Sequence, residues 1–521
     1  MEENNHISSN SWLALGVVVI GTFMAILDSS IVNIALPKLM SVFGMAQDDS
    51  KWILTAYSLT QGAIIPLTGY LQEVFGAKKI YIYALSVFTL GSLLCGFAWS
   101  GSAMIGFRII QALGGGMILP VGMTIIYGLF PKDKIGLALG FWGIASMAAP
   151  AIGPTLGGLI IEKMDWRMIF YVNVPIGVIG VIVAGILLKD SKIKPIKSFD
   201  IIGFLSSTIG IVSILYVLGE GSSIDWSKLE NPILMTLGCL SLVLFVVNEL
   251  THPKPLLDLR LFKVFDFTVS TIITCVLTLA LMGTTYILPL FLQNVRGYTA
   301  MEAGMIMLPS ALVTASLMPV SGNLFDRFGM KPIVIPGLII LGIASYELSN
   351  AINMNSTKKM IILITCLRSI GLGIAMMPIN TAGMNAVKRE LVGGASALSS
   401  TVKQIAGAVS VTIMSTLMQG RTNYNYAKLT EQITTYNKPS NDMIGTLTQS
   451  YMHSGMSQSA AKTSAISQLT QMIRQQASIE GMQYAVIVTA VAVVSALLLV
   501  LFMRSKKKVV ESKGEVQAIE A

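Results

Sequence analysis

Gly69-Tyr-Leu-Gln-Glu73-Val-Phe-Gly76-Ala-Lys78-Lys79 and Gly322-Asn-Leu-Phe-Asp326-Arg327-Phe-Gly329-Met-Lys331 are two copies of one pattern. In each, a glycine is followed by an acid four residues on, a glycine three further and a lysine two further. Each copy ends one long apolar run and opens another, so it reads as a short charged turn between two membrane-crossing helices. A turn repeated at corresponding places of two apolar halves marks an internal duplication of a membrane body.

Working outward from the two turns, a second correspondence supports the first. Arg108 precedes Gly114-Gly115-Gly116 and Pro120, while Arg368 precedes Gly371, Gly373 and Pro378. A helix needs roughly 20 apolar residues to cross the hydrocarbon core. Stretches of that kind lie near 12–36, 51–71, 80–100, 102–128, 135–161, 167–188, 200–219, 231–249, 267–292, 302–322, 332–353, 359–382, 393–418 and 483–503. The expectation is an all-α polytopic membrane protein of fourteen transmembrane helices. Residues 1–190 form an N-terminal six-helix bundle, 191–262 hold two inserted central helices, 263–503 form a C-terminal six-helix bundle and 504–521 a tail.

Composition agrees. The chain is 53% hydrophobic and 12% charged, where soluble domains carry about 25% charged residues, and its mean hydropathy is +0.70. The formal charge of +9 invites a nucleic-acid reading, but the basic residues sit in short clusters between apolar runs, as one face of a membrane protein requires. Cys95, Cys239, Cys275 and Cys366 all fall inside apolar segments, with no disulfide or zinc spacing. The leader Met1–Asn10 lacks a basic region and Asp28 interrupts the first apolar run, so a cleaved signal peptide is not expected.

Lys and Arg set the orientation. With the N-terminus inside, the inner loops and tail hold twenty of them, from Lys78, Lys79, Lys132 and Lys134 to Arg504 and Lys513, and the short outer loops eight, among them Lys38, Lys51, Lys163 and Lys358. Both termini are therefore expected in the cytoplasm. The outer segment 419–482 is polar, with Ile466, Leu469, Met472 and Ile473 at helical spacing. It reads as a solvated cap or disordered loop, with a lid or docking role as the alternative.

With these motifs laid out, the chain resembles the major facilitator superfamily, and in particular its fourteen-helix drug:proton antiporter branch. The turn motif resembles the superfamily's G-x-L-a-D-r-x-G-r-k signature; the first copy departs from it with Glu73, Val74 and Ala77, and the second keeps Asp326-Arg327. Leu27-Asp28-Ser-Ser-Ile-Val-Asn33-Ile-Ala-Leu-Pro37 is similar to the branch's first-helix signature, and Gly153-Pro154-Thr-Leu-Gly157-Gly158 resembles the antiporter motif. Trp166-Arg167-Met-Ile-Phe170-Tyr-Val-Asn173-Val-Pro175 matches the start of the sixth span.

Asp28 is the sharpest candidate for chemistry. A carboxylate in mid-helix costs roughly 2.5–3.5 kcal/mol on insertion scales, so it faces a wet cavity or a partner. Burial and a nearby cation move such a group in opposite directions, which lets it load a proton on one side and release it on the other; the alternative is a structural acid bonded to Asn33 or a helix end. The resemblance implies proton coupling for Arg108 beside Gln111, against plain structural anchoring. Arg368, Lys403 and Gln404 are the second-half candidates. Gly153, Pro154, Gly157 and Gly158 read as a close-packed, deformable seam, or as static packing. Gly69, Glu73, Gly76 and Lys78, with Gly322, Asp326, Arg327 and Gly329, read as a charge latch at inner helix ends, or as ordinary solvated turns. The 30 methionines suit a pliable cavity but serve equally as filler.

No G-x-x-x-x-G-K-[ST] loop is present, so an ion gradient is the expected energy source, with no cofactor and no metal. The expected activity is not enzymatic: it is proton-coupled antiport of small amphiphilic compounds by alternating access, that is, multidrug efflux, from a monomer in the plasma membrane. The alternatives are a dedicated exporter of an endogenous lipid, fatty acid or signalling metabolite, and a transport-inactive sensor or scaffold. The expected partners are the amphiphilic substrate and the bilayer, with no nucleic acid.

Overall fold

The computed structural model describes residues 9–131, 134–190, 199–219, 221, 224–253, 255–431, 433 and 437–503. The expected tail 504–521 and Lys132, Lys192, Lys194, Lys197 and Lys254 of the orientation count lie outside the described residues. Among those described there is no strand. That is what a hydrocarbon surrounding allows, since each backbone donor and acceptor must find its partner within the helix.

The first half comprises α1 (Ser9–Phe43), α2 (Gln47–Ile64) and α3 (Leu67–Phe75), α4 (Ala77–Gly96), α5 (Gly101–Leu129), α6 (Ile135–Lys163), and α7 (Met168–Tyr171) with α8 (Asn173–Leu187). Then come α9 (Ile201–Gly219) and α10 (Glu230–Thr251). The second half holds α11 (Phe265–Leu290), α12 (Ala300–Phe328), α13 (Lys331–Ala351), α14 (Lys358–Asn385), α15 (Val392–Glu431), α16 (Lys438–His453) and α17 (Gln458–Phe502). Eleven described helices, α7–α8 counted as one, are long and apolar enough to cross a membrane, and α6, bent by 45° near its middle, makes a twelfth. The other two of the fourteen expected segments are helical but more polar. Thr55, Ser58 and Gln61 of α2 and Ser399, Ser400 and Lys403 of α15 face a central cavity, which lowers their apolar content.

Two turn glycines fold as the duplication requires. Gly76 and Gly329, at matching places of the two copies, take φ of 86° and 80°, a region that a residue with a Cβ enters only at a cost. α9 packs between α2 and α15, where the halves meet, through Ile211 and Leu215 against Leu59, Ile405 and Ala408. α10 packs on α9 and leaves Leu240, Val243 and Leu244 more than half exposed, a surface fit for lipid.

The halves touch unevenly. At the end bearing the chain termini one apolar cluster joins them: Tyr127, Phe130 and Leu139 pack with Met384, Val392 and Ala395. At the opposite end each half has its own cluster, one around Leu39, Ile53 and Trp166 and one around Phe291, Ile306 and Met482. The molecule is thus closed at the terminal side and parted at the other. The segment 419–482 is not an irregular loop. α15 runs on through it to Glu431, α16 packs on α17, and α17 starts at Gln458 and continues unbroken into the last span. The Arg421 guanidinium lies over the rings of Tyr424 and Tyr484, and that of Arg474 over Tyr426.

Candidate functional site

Asp28 of α1 and Arg108 of α5 meet in the interior of the first half. The side chains are 0% and 1% exposed, and Arg108 Nη1 lies 2.5 Å from Asp28 Oδ2. Gln111, one helical turn beyond Arg108, closes the group: its Nε2 donates to Asp28 Oδ1 at 2.9 Å and its Oε1 accepts from Arg108 Nη1 at 2.6 Å. Asn173 Nδ2 at the start of α8 donates to the same Asp28 oxygen at 2.9 Å. Ser92 Oγ of α4 accepts from both Gln111 and Asn173. Arg108 Nε reaches the Ile53 carbonyl at 3.4 Å, and its guanidinium lies 3.9 Å from the centre of the Tyr57 ring.

A buried ion pair stands only where hydrogen bonds meet its remaining donors and lone pairs. Here five helical elements supply them. The sequence picks out Asp28, Arg108 and Gln111. It names Asn173 only as part of a motif, and Ser92 and Tyr57 not at all. For Asn173 and Ser92 the signal lay in polarity, each being a polar residue in a helix apolar enough to cross a membrane; Tyr57, in the more polar α2, gave none. Asn33, offered as the alternative partner of Asp28, is exposed, and Asp28 bonds Arg108, Gln111 and Asn173 instead.

The cavity between the halves has a volume of about 930 Å³. Ala25, Ile26 and Ser29 of α1 line it, so Asp28 sits one residue behind its wall. Arg368, Lys403 and Gln404 line the facing wall. Five methionines reach it, Met123, Met147, Met282, Met307 and Met376. Arg368 Nε donates to Ser345 Oγ at 3.1 Å and its Nη2 to the Ala280 carbonyl. No carboxylate pairs with it among the described residues. Arg368 therefore does not join the Asp28 group; the second-half bases form a separate site.

The seam residues divide. A Cβ on Gly153 would collide with Ser30 of α1, and one on Gly157 would come within 3.2 Å of Ile31 Cγ2. One on Gly158 would meet Met301 of α12 at 3.9 Å. The seam thus has two faces: Gly153 and Gly157 face α1, and Gly158 faces the other half. The side chain of Pro154 lies outside what the structure describes. The close contact between halves lies nearer the start of α6, at glycines outside that motif. Cβ atoms on Gly136 and Gly322 would strike each other's helix backbone, one on Gly140 would lie within 2.6 Å of the Met318 carbonyl, and one on Gly143 would strike the Met318 side chain. The four-residue spacing of Gly136 and Gly140, a small-residue pattern of helix contacts, was the available signal.

The latch residues divide too. Asp326 accepts from the backbone N–H groups of Gly136 at 3.2 Å and Leu137 at 3.0 Å. It thereby caps α6, where unpaired donors and the positive end of the helix dipole favour a carboxylate. Arg327 is exposed and makes no ion pair among the described residues. In the first copy Gly69 approaches Gly394 and Ala397 of α15, Glu73 is half-buried, and Lys78 stands 3.9 Å from Asp190. Ser396 Oγ donates to the Pro120 carbonyl and Arg389 Nη2 to that of Phe130, completing the closure of the terminal side.

Comparison with known proteins places this arrangement. Residues 18–411 match the Major Facilitator Superfamily. The chain is 35% identical to the uncharacterized MFS-type transporter YhcA of Bacillus subtilis (strain 168), over 96% of its own length and 94% of that protein's. It is 28% identical to the multidrug export protein EmrB of Escherichia coli (strain K12), over 82% of this chain and 84% of that one. The proton:xylose symporter XylE shares the fold, with a TM-score of 0.58 at 14% identity over 81% of this chain and 91% of that one. A duplicated bundle around a central cavity, with these matches spanning most of the chain, makes this protein a multi-pass membrane transporter that belongs to the Major Facilitator Superfamily.

Proposed function

We propose that the chain is a proton-coupled antiporter that exports small amphiphilic compounds by alternating access, working as a monomer in the plasma membrane with both termini in the cytoplasm. The observation that carries this reading is the buried Asp28–Arg108–Gln111–Asn173 group directly behind the cavity wall. With Asp28 ionised, Arg108 and the two amides hold it as found. A proton entering from the open side converts Asp28 Oδ2 from acceptor to donor and removes half of the ion pair. Arg108 then keeps only Gln111 Oε1, the Ile53 carbonyl and the Tyr57 ring as partners.

Because α1, α4, α5 and α8 all contribute to that group, its loss loosens the first half. The closure at the terminal side, made by Asp326 on α6 and by the Gly136–Gly322 contact, is the element that must part for the cavity to face the cytoplasm. A substrate loaded there and a proton released there complete the cycle. The energy source is the proton gradient, since one charge moved through 100 mV gains about 2.3 kcal/mol, and no cofactor enters the scheme. Similarity to a multidrug export protein supports the export direction and a broad amphiphilic substrate class.

The test is Asp28→Asn in reconstituted vesicles. Gradient-driven export should fall to background while the protein remains inserted, and Asp28→Glu should keep part of it, because a titrating group survives. Uphill export by Asp28→Asn at the wild-type rate would reject the assignment.

A further inference from the structure

We infer that the cavity binds an anionic amphiphile: a carboxylate or sulfonate head held by Lys403, with Arg368 adding positive charge to the same wall, and the apolar body along α11, α12 and α14. This deepens the export reading above and rests on it for the direction of transport.

Charge is the first observation. Lys51, Arg368 and Lys403 reach the cavity, and no aspartate or glutamate among the described residues lines it. Arg368 spends its donors on a serine hydroxyl and a backbone carbonyl, both neutral. Lys403 makes neither an ion pair nor a hydrogen bond among the described residues. Among the described residues, the buried acid next to the cavity, Asp28, lies behind the wall and is already balanced by Arg108. The second half therefore presents uncompensated positive charge to a partly dehydrated space.

Leaving such charge unpaired is costly, and a ligand that supplies the missing anion relieves the cost. A cationic amphiphile meets the reverse, because like charges brought together oppose binding. Next to the two cations in the chain, the wall offers neutral partners for further head-group oxygens: Ser369, Ser400 and Gln404. Beyond them it is apolar and adaptable, with Leu281, Met282, Met307, Leu372 and Met376, a surface that follows varied shapes. A charged head beside a pliable apolar body defines the ligand class.

The experiment uses two probes with the same ten-carbon tail and permanent opposite charge, decanesulfonate and decyltrimethylammonium. Binding is read in lipid nanodiscs from the fluorescence of Trp142, which lines the cavity, kept as the sole tryptophan. Decanesulfonate should bind at least about tenfold tighter than the ammonium, the usual weight of one charge-assisted contact. Lys403→Gln should erase that preference while apolar binding persists, and Lys403→Arg should restore it; Arg368→Gln should reduce it independently.

Equal affinities, a preference for the ammonium, or a Lys403→Gln variant that weakens both probes alike would overturn the inference. The assay needs no gradient, so its failure is separate from that of proton coupling. Loss of export with sulfonate binding intact would reject the antiport reading alone.

Discussion

Arg108 and Arg368 occupy corresponding helices of the two halves, α5 and α14, and both are buried. Their neighbours correspond as well. Arg108 meets α1 through Asp28 and, by way of Gln111, α4 through Ser92. Arg368 meets α11 through the Ala280 carbonyl and α13 through Ser345. The frame of the site is duplicated but its acid is not. One half holds a cation paired with a buried carboxylate; the other holds a cation hydrogen-bonded to neutral oxygens, without a counter-ion among the described residues, and open to the cavity. On the function proposed above, the duplication separates two tasks, proton handling in the first half and contact with substrate in the second.

The comparison breaks most sharply if each arginine is removed in turn. Arg108→Leu strands Asp28 inside the bundle, and breaking a buried pair by deleting one partner costs about 3–5 kcal/mol. Arg368→Leu removes a charge that has no counter-ion among the described residues, so its effect on stability should stay within about 1 kcal/mol, two hydrogen bonds to neutral acceptors being offset by the desolvation no longer needed. Thermal unfolding in detergent separates the two. Equal losses would mean that the halves balance their charges alike, by a route other than Asp28.

A smaller effect is expected at the closure. Asp326→Asn keeps the shape but loses the charge that holds the Gly136 and Leu137 N–H groups, and hydrogen bonds to charged groups are worth about 1.5–3 kcal/mol. Even the low end shifts a two-state population about tenfold toward the form open at the terminal side. Spin labels at the exposed positions Lys134 and Phe328 should report the lengthened distance. An unchanged distribution would reduce Asp326 to a local cap.

Smaller again, the seam should respond in the order of its clearances. Overpacking costs about 1–3 kcal/mol. Gly153→Val, against Ser30, should slow export most; Gly157→Val, with 3.2 Å to Ile31, less; and Gly158→Val, with 3.9 Å to Met301, least. Transport rates at saturating substrate rank the three. The reverse order would place the moving contact at α12 rather than at α1.

These rankings mark what the sequence could and could not carry. Charge inside an apolar run is conspicuous, so Asp28 and Arg108 stand out; Gln111 follows from the family resemblance, and the three do meet. The repeat is conspicuous too, and Gly76 and Gly329 both take a positive φ. Which face a residue takes is not conspicuous, because a helix that is apolar all round has no periodic pattern to show its partner. Hence Gly158 falls on the opposite side from Gly153, and Gly136 and Gly140 went unread. Hydropathy also hides cavity-lining helices, whose polar faces make α2 and α15 look like poor spans. The absence of an acid beside Arg368 is legible only once α11 and α13 are seen around it.

The smallest effect is expected at a part of the second half that has no counterpart in the first, the outer extension of α15, α16 and α17. It is helical and packs on itself: Ala461 and Ala465 are fully buried while Ile466 and Met472 stay exposed. It touches the transporting body at its base, where Gln475 Nε2 donates to the Val295 carbonyl and Gln483 Nε2 to that of Ile352. Neither contact reaches the cavity wall or the Asp28 group. Replacing residues 430–475 by a short flexible linker should therefore leave proton-coupled export within about twofold of wild type, the reach of a surface change worth some 0.5 kcal/mol. The linker joins α15 to α17 above the membrane and removes Gln475 while keeping Gln483, so one of the two contacts survives. Export measured in vesicles across a set pH gradient decides the matter. If coupling were lost in a correctly inserted deletion, the extension would belong to the gate on the open side, and the division of tasks would run through three parts of the chain instead of two.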